Sequence, residues 1–160
     1  MAKITRKEIK IAAGILKRTP NIPRMPQELF EIYVSKGVNV IVELVIFNKE
    51  GKILLTWRND KFYYGWHIPG GFMGVGETLG QAAQRIAKRE IGGHVRALKF
   101  ASLLNYRSQD PRSHSFCLLH TCRAERAPEN GKFFSVAEIK KLPKKDVLYH
   151  VPMILKLIKR

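Results

Sequence analysis

Four glycines, Gly70, Gly71, Gly74 and Gly76, crowd one short stretch and constrain the fold more than any other part of the chain. A glycine in a helix or strand interior costs up to about 1 kcal/mol, so four together make a loop. The loop ends at Glu77-Thr78, where the threonine can cap the free N–H groups of a helix running through Leu79, Ala82, Ala83, Ile86 and Glu90. Strand, glycine loop and helix therefore follow in order.

The stretch from Ile68 to Gly93 resembles a Nudix box: glycine, five residues, glutamate, seven residues, then Arg-Glu-apolar-any-Glu-Glu-any-Gly. Gly71, Glu77, Arg85, Glu90 and Gly92 fall on that pattern without a gap, but Ile86 and Arg89 stand where the family has glutamates. Residues four apart on a helix have Cβ atoms about 5–6 Å apart, so a full box stacks acid on acid and offers Mg²⁺ its oxygen ligands. Here the resemblance leaves Glu90, with the Gly71 carbonyl, to hold Mg²⁺. Losing a general base forfeits about 10²- to 10⁴-fold in rate, whereas repulsion between Arg85 and Arg89 costs a few tenths of a kcal/mol. The departures therefore bear on catalysis more than on folding. Glu77 and Arg85 are expected to pair and fix the loop against the helix, with Gly92 completing the box.

A branch of the family, the GDP-mannose mannosyl hydrolases, is similar in lacking the same two glutamates and keeping the last. In that branch water attacks the sugar C1 and the diphosphate leaves intact. Asn39 to Glu43, Leu54 to Arg58 and Gly65 to Pro69 also resemble its approach to the box, and the likeness spans roughly Met25 to Ile139. It implies an α/β/α sandwich with a mixed sheet, Mg²⁺, and a nucleoside-diphosphate substrate such as a nucleotide sugar. It also implies that the acid at Glu43 touches the base. Where the branch carries an arginine this chain has Phe72, and where it carries a glutamine and a base histidine the loop Arg126 to Lys132 offers Glu129. Glu129 is thus the candidate base or second metal ligand.

The other candidates come from the residues themselves. Arg58 closes a strand before an aromatic loop, and a guanidinium grips phosphate through two parallel hydrogen bonds, which makes it the first candidate for the diphosphate. The loop Phe62-Tyr63-Tyr64-Gly65-Trp66, with Trp66 as its substrate contact, either stacks on a base or closes the core edge. Glu43 interrupts an apolar run and is costly to bury unpaired, so it faces solvent, contacts substrate or meets a cation such as Arg58. Strands are expected over 38–47 and 52–58 as a hairpin, and over 94–106 and 114–123 around a turn at Ser108 to Pro111; His114 is the likelier substrate contact of two strand histidines. A helix over 144–160 closes the chain.

A length of 160 residues suits one domain. The formal charge of +16 favours anionic partners: nucleotides, RNA or acidic membrane surfaces. Cys117 and Cys122 lie about 17 Å apart along one strand, too far for a disulfide. No uncharged run reaches signal-peptide or membrane-span length, so a cytoplasmic protein is expected. Residues 1–24 read as a basic helix, Thr5 to Arg18, and a proline-rich linker; 25–160 form the Nudix-like domain. The helix has three uses open to it: packing on the domain, homodimerisation, or contact with an acidic surface. The leading expectation is a Mg²⁺-dependent hydrolase; the alternative is a degenerate domain that binds nucleotide or RNA without turnover, and ordinary pyrophosphate hydrolysis comes third because its metal cluster is largely gone.

Overall fold

The computed structural model describes residues 4–22, 24–107, 109–124 and 126–158. Strand β1 (Val38–Phe47) is the spine, and it is apolar on both faces. Val42, Leu44 and Ile46 point into one core, Ile41 and Val45 into the other, as the period of two requires. On the first face lies α3 (Leu79–Ile91), burying Ala82, Ala83, Ile86 and Ala87. On the second lie α2 (Gln27–Ser35), α4 (Val136–Lys141) and α5 (His150–Leu157), which contribute Val34, Ile139, Val151, Ile154 and Leu155. Two helical layers enclose one sheet, an α/β/α sandwich.

The remaining strands are β2 (Ile53–Asn59), β3 (Tyr64–His67), β4 (Gly70–Phe72), β5 (Arg96–Tyr106), β6 (His114–Arg123) and β7 (Gly131–Phe134). Among the described residues they form one seven-stranded mixed sheet: β1 pairs with β6 in parallel from Val38↔His114 to Phe47↔Arg123, and the other pairings are antiparallel. β1 and β2 leave a turn held by Asn48, whose Oδ1 accepts from the N–H groups of Glu50 and Lys52. The hairpin expected there is closed only at that end, at Phe47↔Ile53. Beyond it the strands part. β6 fills the other edge of β1, so β4 must take the inner edge at Ile41–Glu43, while β3 takes β2 at Thr56–Asn59. The sheet is forked, and the segment that crosses the fork is the approach to the glycine loop.

The closing helix expected over 144–160 is interrupted. A 3-10 turn covers Lys144–Asp146, Val147 bridges to Trp66, and α5 starts only at His150. Pro152 is the reason: without an N–H it is tolerated in a first helical turn but not in an interior. Residues 159–160 lie outside the described residues, as does Ser108 of the expected turn and Pro23 of the linker. The N-terminal helix α1 (Arg6–Arg18) has Thr5 as its cap and buries none of its residues, so packing on the domain is not the use seen. No helix among the described residues is long and apolar enough to cross a membrane.

Candidate functional site

The glycine loop is held by an ion pair. Arg85 donates from Nε to Glu77 Oε1 (2.5 Å) and from Nη2 to Oε2 (2.6 Å) and to the Phe72 carbonyl (2.9 Å), while the Gly74 N–H donates to Glu77 Oε2 (2.7 Å). This bidentate hold keeps the Glu77 carboxyl below the ordinary carboxylate range. Thr78 and Gln81 form a capping box at the start of α3, and Gly92 ends it in the left-handed conformation (φ 64°) that glycine adopts without strain. Glu77, Arg85 and Gly92 therefore shape the loop and the helix that follows it.

At the other end of α3, Arg89 curls back toward the loop. Its Nε and Nη2 lie 2.9 and 2.7 Å from Glu90 Oε1, and Nη2 also donates to the Gly70 carbonyl at 2.7 Å. The carbonyl at this place is Gly70's, not the expected Gly71's. Leu44 N–H donates to Pro69 and Met73 N–H to Val40, and bonded pairs alternate along an antiparallel ladder, so Val42 and Gly71 bond each other. Gly70, opposite Glu43, turns its carbonyl out of the ladder. Glu90 Oε2 sits 3.8 Å from His67 Nε2. That imidazole is fixed by Thr56 Oγ1 (2.9 Å) and the Ile68 carbonyl (2.9 Å), and burial pushes its pKa down to about 4, so it is neutral at pH 7.

Glu43 is buried on the α5 side. Its Oε2 accepts from Tyr106 Oη (2.7 Å) and Cys117 Sγ (3.1 Å), and Oε1 lies 3.9 Å from His150 Nε2. Burial raises its pKa to about 7 against those hydrogen bonds, and lowers that of His150 to about 3. The suggested pairing with Arg58 does not form. Arg58 instead donates to Asp60 (2.5 Å) and lies 4.5 Å from the centre of the Tyr63 ring. Arg112 lies over the same ring at 4.7 Å and over Phe72 at 5.3 Å, tied to Asp110, which also accepts from Tyr63 Oη. Burial works to raise the Asp110 carboxyl, and Arg112 and Tyr63 outweigh it to hold it below the usual range. A guanidinium thus lies over the phenyl ring at the position where the resembling branch has an arginine.

These groups line one cleft of about 730 Å³ that opens at the fork of the sheet. Of the residues expected to act in catalysis, substrate binding or metal binding, Glu90, Arg85, Arg58, Glu43 and Gly71 line it. Three do not. Trp66 packs edge-on against Trp57 and Phe134 (5.2 and 5.1 Å), and Trp57 is the indole that reaches the cleft. His114, at the start of β6, bonds Asn105 Oδ1 (2.8 Å). Glu129 is exposed beside the cleft, while its neighbour Asn130 lines it, locked to β2 through the Trp57 N–H (2.6 Å). Sequence reasoning missed His67, Asp110, Arg112 and His150. Only Asp110 and Arg112 carried a signal, as a charge pair two residues apart at the end of the expected turn.

The cleft is wide enough for a nucleotide, and its charge-paired arginines suit phosphate oxygens. Over 73 residues, 45% of this chain and 46% of the relative, the sequence is 39% identical to the low-salt glycan biosynthesis protein Agl8 of Haloferax volcanii. It is 34% identical over 70 residues, 43% of this chain and 41% of the relative, to an ADP-ribose pyrophosphatase of Methanocaldococcus jannaschii. The chain spans less than half the length of either. Among solved structures, the Nudix domain of Shewanella oneidensis NrtR with ADP ribose superposes with a TM-score of 0.62 at 20% identity, covering 82% of this chain and 96% of that one. The family model for the NUDIX domain matches residues 38–157, from β1 through α5, and the chain belongs to the Nudix family.

Proposed function

We propose that this chain hydrolyses a nucleoside-diphosphate derivative, a nucleotide sugar of the GDP-mannose kind, with water attacking the sugar C1. One arrangement carries the reading: Glu90 shares a cleft with Arg58 and Arg112, whose guanidiniums lie over one tyrosine ring. Attack at carbon leaves the diphosphate whole, so it asks for one carboxylate near the sugar and cations on the leaving group. Attack at phosphorus asks for the acidic cluster that Ile86 and Arg89 have replaced. The relative named for glycan biosynthesis and the neighbour that binds ADP ribose support the same substrate class.

In this mechanism Arg58 and Arg112 hold the diphosphate and Trp57 offers its indole to the base. Glu90 accepts a proton as the water oxygen bonds to C1, the C1–O bond breaks, and the nucleoside diphosphate leaves as an anion. Neutral His67 lies beside Glu90 without competing for that proton, since burial disfavours its charged form. Nudix hydrolases generally use a divalent metal, typically Mg²⁺. The oxygens on hand for Mg²⁺ are the two of Glu90 and the Gly70 carbonyl; Arg89 takes Glu90 Oε1 and the carbonyl, and Oε2 lies 3.8 Å from His67 Nε2. With two of these three oxygens held by a guanidinium, and no cluster of three or more His, Cys, Asp or Glu among the described residues, the residues as arranged do not fit a metal.

The test is a panel of nucleotide sugars in water enriched with heavy oxygen, run with Mg²⁺ and with chelator. Free sugar bearing the label beside unlabelled nucleoside diphosphate is expected, with Glu90→Gln slower by about 10²- to 10⁴-fold. Label in phosphate would place the attack at phosphorus. A second reading, nucleotide or RNA binding without turnover, draws on the hold of Arg89 on Glu90 and on the exposure of Glu129. It predicts tight binding, no product with any sugar, and indifference to Glu90→Gln.

A further inference from the structure

Neighbouring residues on a helix point about 100° apart and do not ordinarily meet. Arg89 and Glu90 are neighbours, yet the guanidinium lies on the Glu90 carboxylate, drawn there by a third group, the Gly70 carbonyl. The space is made by Gly71: a Cβ on that residue would stand 2.9 Å from Arg89 Nη2 and 3.4 Å from Nη1. The guanidinium therefore lies close against the Gly71 backbone, in space that a side chain there would make it give up. Nε and Nη2 are taken by Glu90 and Gly70. Nη1 donates to no group among the described residues, and Arg89 lines the cleft.

We propose that Arg89 is a built-in cation standing where a divalent ion would otherwise bridge Glu90 and the Gly70 carbonyl, with Nη1 free to take a diphosphate oxygen. The exchange is chemically reasonable. A guanidinium keeps its charge at every relevant pH, is weakly hydrated, and binds phosphate in a planar fork. Mg²⁺ surrenders its waters reluctantly and wants near-octahedral oxygens, which one carboxylate and one carbonyl supply poorly. A single positive charge covalently tied to the site replaces a double one recruited from solution. Diphosphate binding then needs no metal. That diphosphate half rests on the functional reading above; the exclusion of metal does not.

Two measurements on the full chain separate the halves. Mn²⁺ titration followed by its paramagnetic resonance reads the metal directly in wild type, Arg89→Ala and the double variant Arg89→Ala/Glu90→Gln. Arg89→Ala is expected to bind Mn²⁺ at least about tenfold more tightly than wild type, and the double variant to lose the gain. Equal Mn²⁺ affinity of wild type and Arg89→Ala, or tight wild-type binding abolished by Glu90→Gln, overturns the exclusion. Calorimetric titration with GDP then reads the diphosphate. Wild type is expected to bind equally well in EDTA and in Mg²⁺; Arg89→Ala weakens about tenfold in EDTA and recovers in Mg²⁺. GDP binding by wild type that collapses in EDTA overturns the diphosphate half. No GDP binding in either medium overturns it together with the functional reading, and the Mn²⁺ result still decides the rest.

Discussion

α1 and α3 are both thirteen residues long, both open with a capping box, at Thr5/Glu8 and at Thr78/Gln81, and both place apolar residues along one side. α3 buries Ala82, Ala83, Ile86 and Ala87; α1 buries nothing, and Ile4, Ile9, Ile11, Ile15 and Leu16 stay exposed. The local code for making a helix is the same in each. What differs is how each is tied to the rest. α3 carries long polar side chains that reach other elements: Arg85 to the Phe72 carbonyl, Gln84 to the Val95 carbonyl and Arg89 to Gly70. Its alanines let it lie close on β1. The side-chain bonds of α1, Glu8 with Thr5, Arg18 with Gly14 and Thr19 with Ile15, stay within the helix and its caps. Amphipathic pattern gives a helix a face to bury; side chains that cross to a neighbour, and small residues beneath them, make the burial happen.

The comparison breaks most visibly at Ile86. Changing Ile86→Glu restores a family glutamate, but at a fully buried apolar position, and should cost about 4 kcal/mol or more in metal-free denaturant melts. A loss under about 1 kcal/mol would mean that α3 can lift from the sheet as freely as α1.

Across the sheet, the same burial acts on Glu43. Its carboxyl rises to about 7 from an unfolded value of 4.5, so the folded state holds the extra proton and stability falls as pH climbs between those values. The total is up to roughly 3 kcal/mol. His67 and His150 work the other way, because the unfolded chain binds the protons that their folded forms, lowered to about 4 and about 3, refuse; they add stability as pH rises toward 6.5. Glu43→Gln removes the opposing slope. Stability measured against pH should therefore rise more steeply for the variant than for wild type between pH 5 and 7, and parallel curves would contradict the assignment.

Glu77→Ala leaves Arg85 partly buried and the Gly74 N–H without its acceptor, which should cost about 2 kcal/mol and loosen the loop. The smallest effects belong to α1. Ile11→Ala and Ile15→Ala should change stability by no more than about 0.5 kcal/mol, alanine's better helix propensity offsetting what little contact is lost. A loss of 2 kcal/mol from either would show that α1 packs on the domain after all.

The layered fold and the glycine loop were legible because they rest on local chemistry: glycines that need a loop, a threonine that caps, and strands with a period of two. The pairing of Glu77 with Arg85 could be anticipated from the resemblance to the box. The floor of the cleft could not. His67 meets Glu90 through the fork, His150 meets Glu43 across 107 positions of chain, and Arg112 reaches Tyr63 from the β5–β6 turn. Each is a long-range meeting of polar groups that leaves no periodicity behind. Glu129 was chosen by the resemblance and His114 by its place near the start of a strand, and neither lines the cleft. Trp66 and Trp57 face each other across β2 and β3, so which one reaches the ligand depended on the fork rather than on either residue.

The split between β1 and β2 has a mechanical side. Its two arms are each zipped by main-chain hydrogen bonds to β4 and to β3, and those strands are joined by only Ile68 and Pro69. To widen or narrow the opening, the protein would have to unzip backbone rather than swing a flap. The strand-borne side of the groove is thus set by backbone pairing, and a change of breadth falls to the loops that complete its lining, at residues 60–62, 110–112 and 148–149.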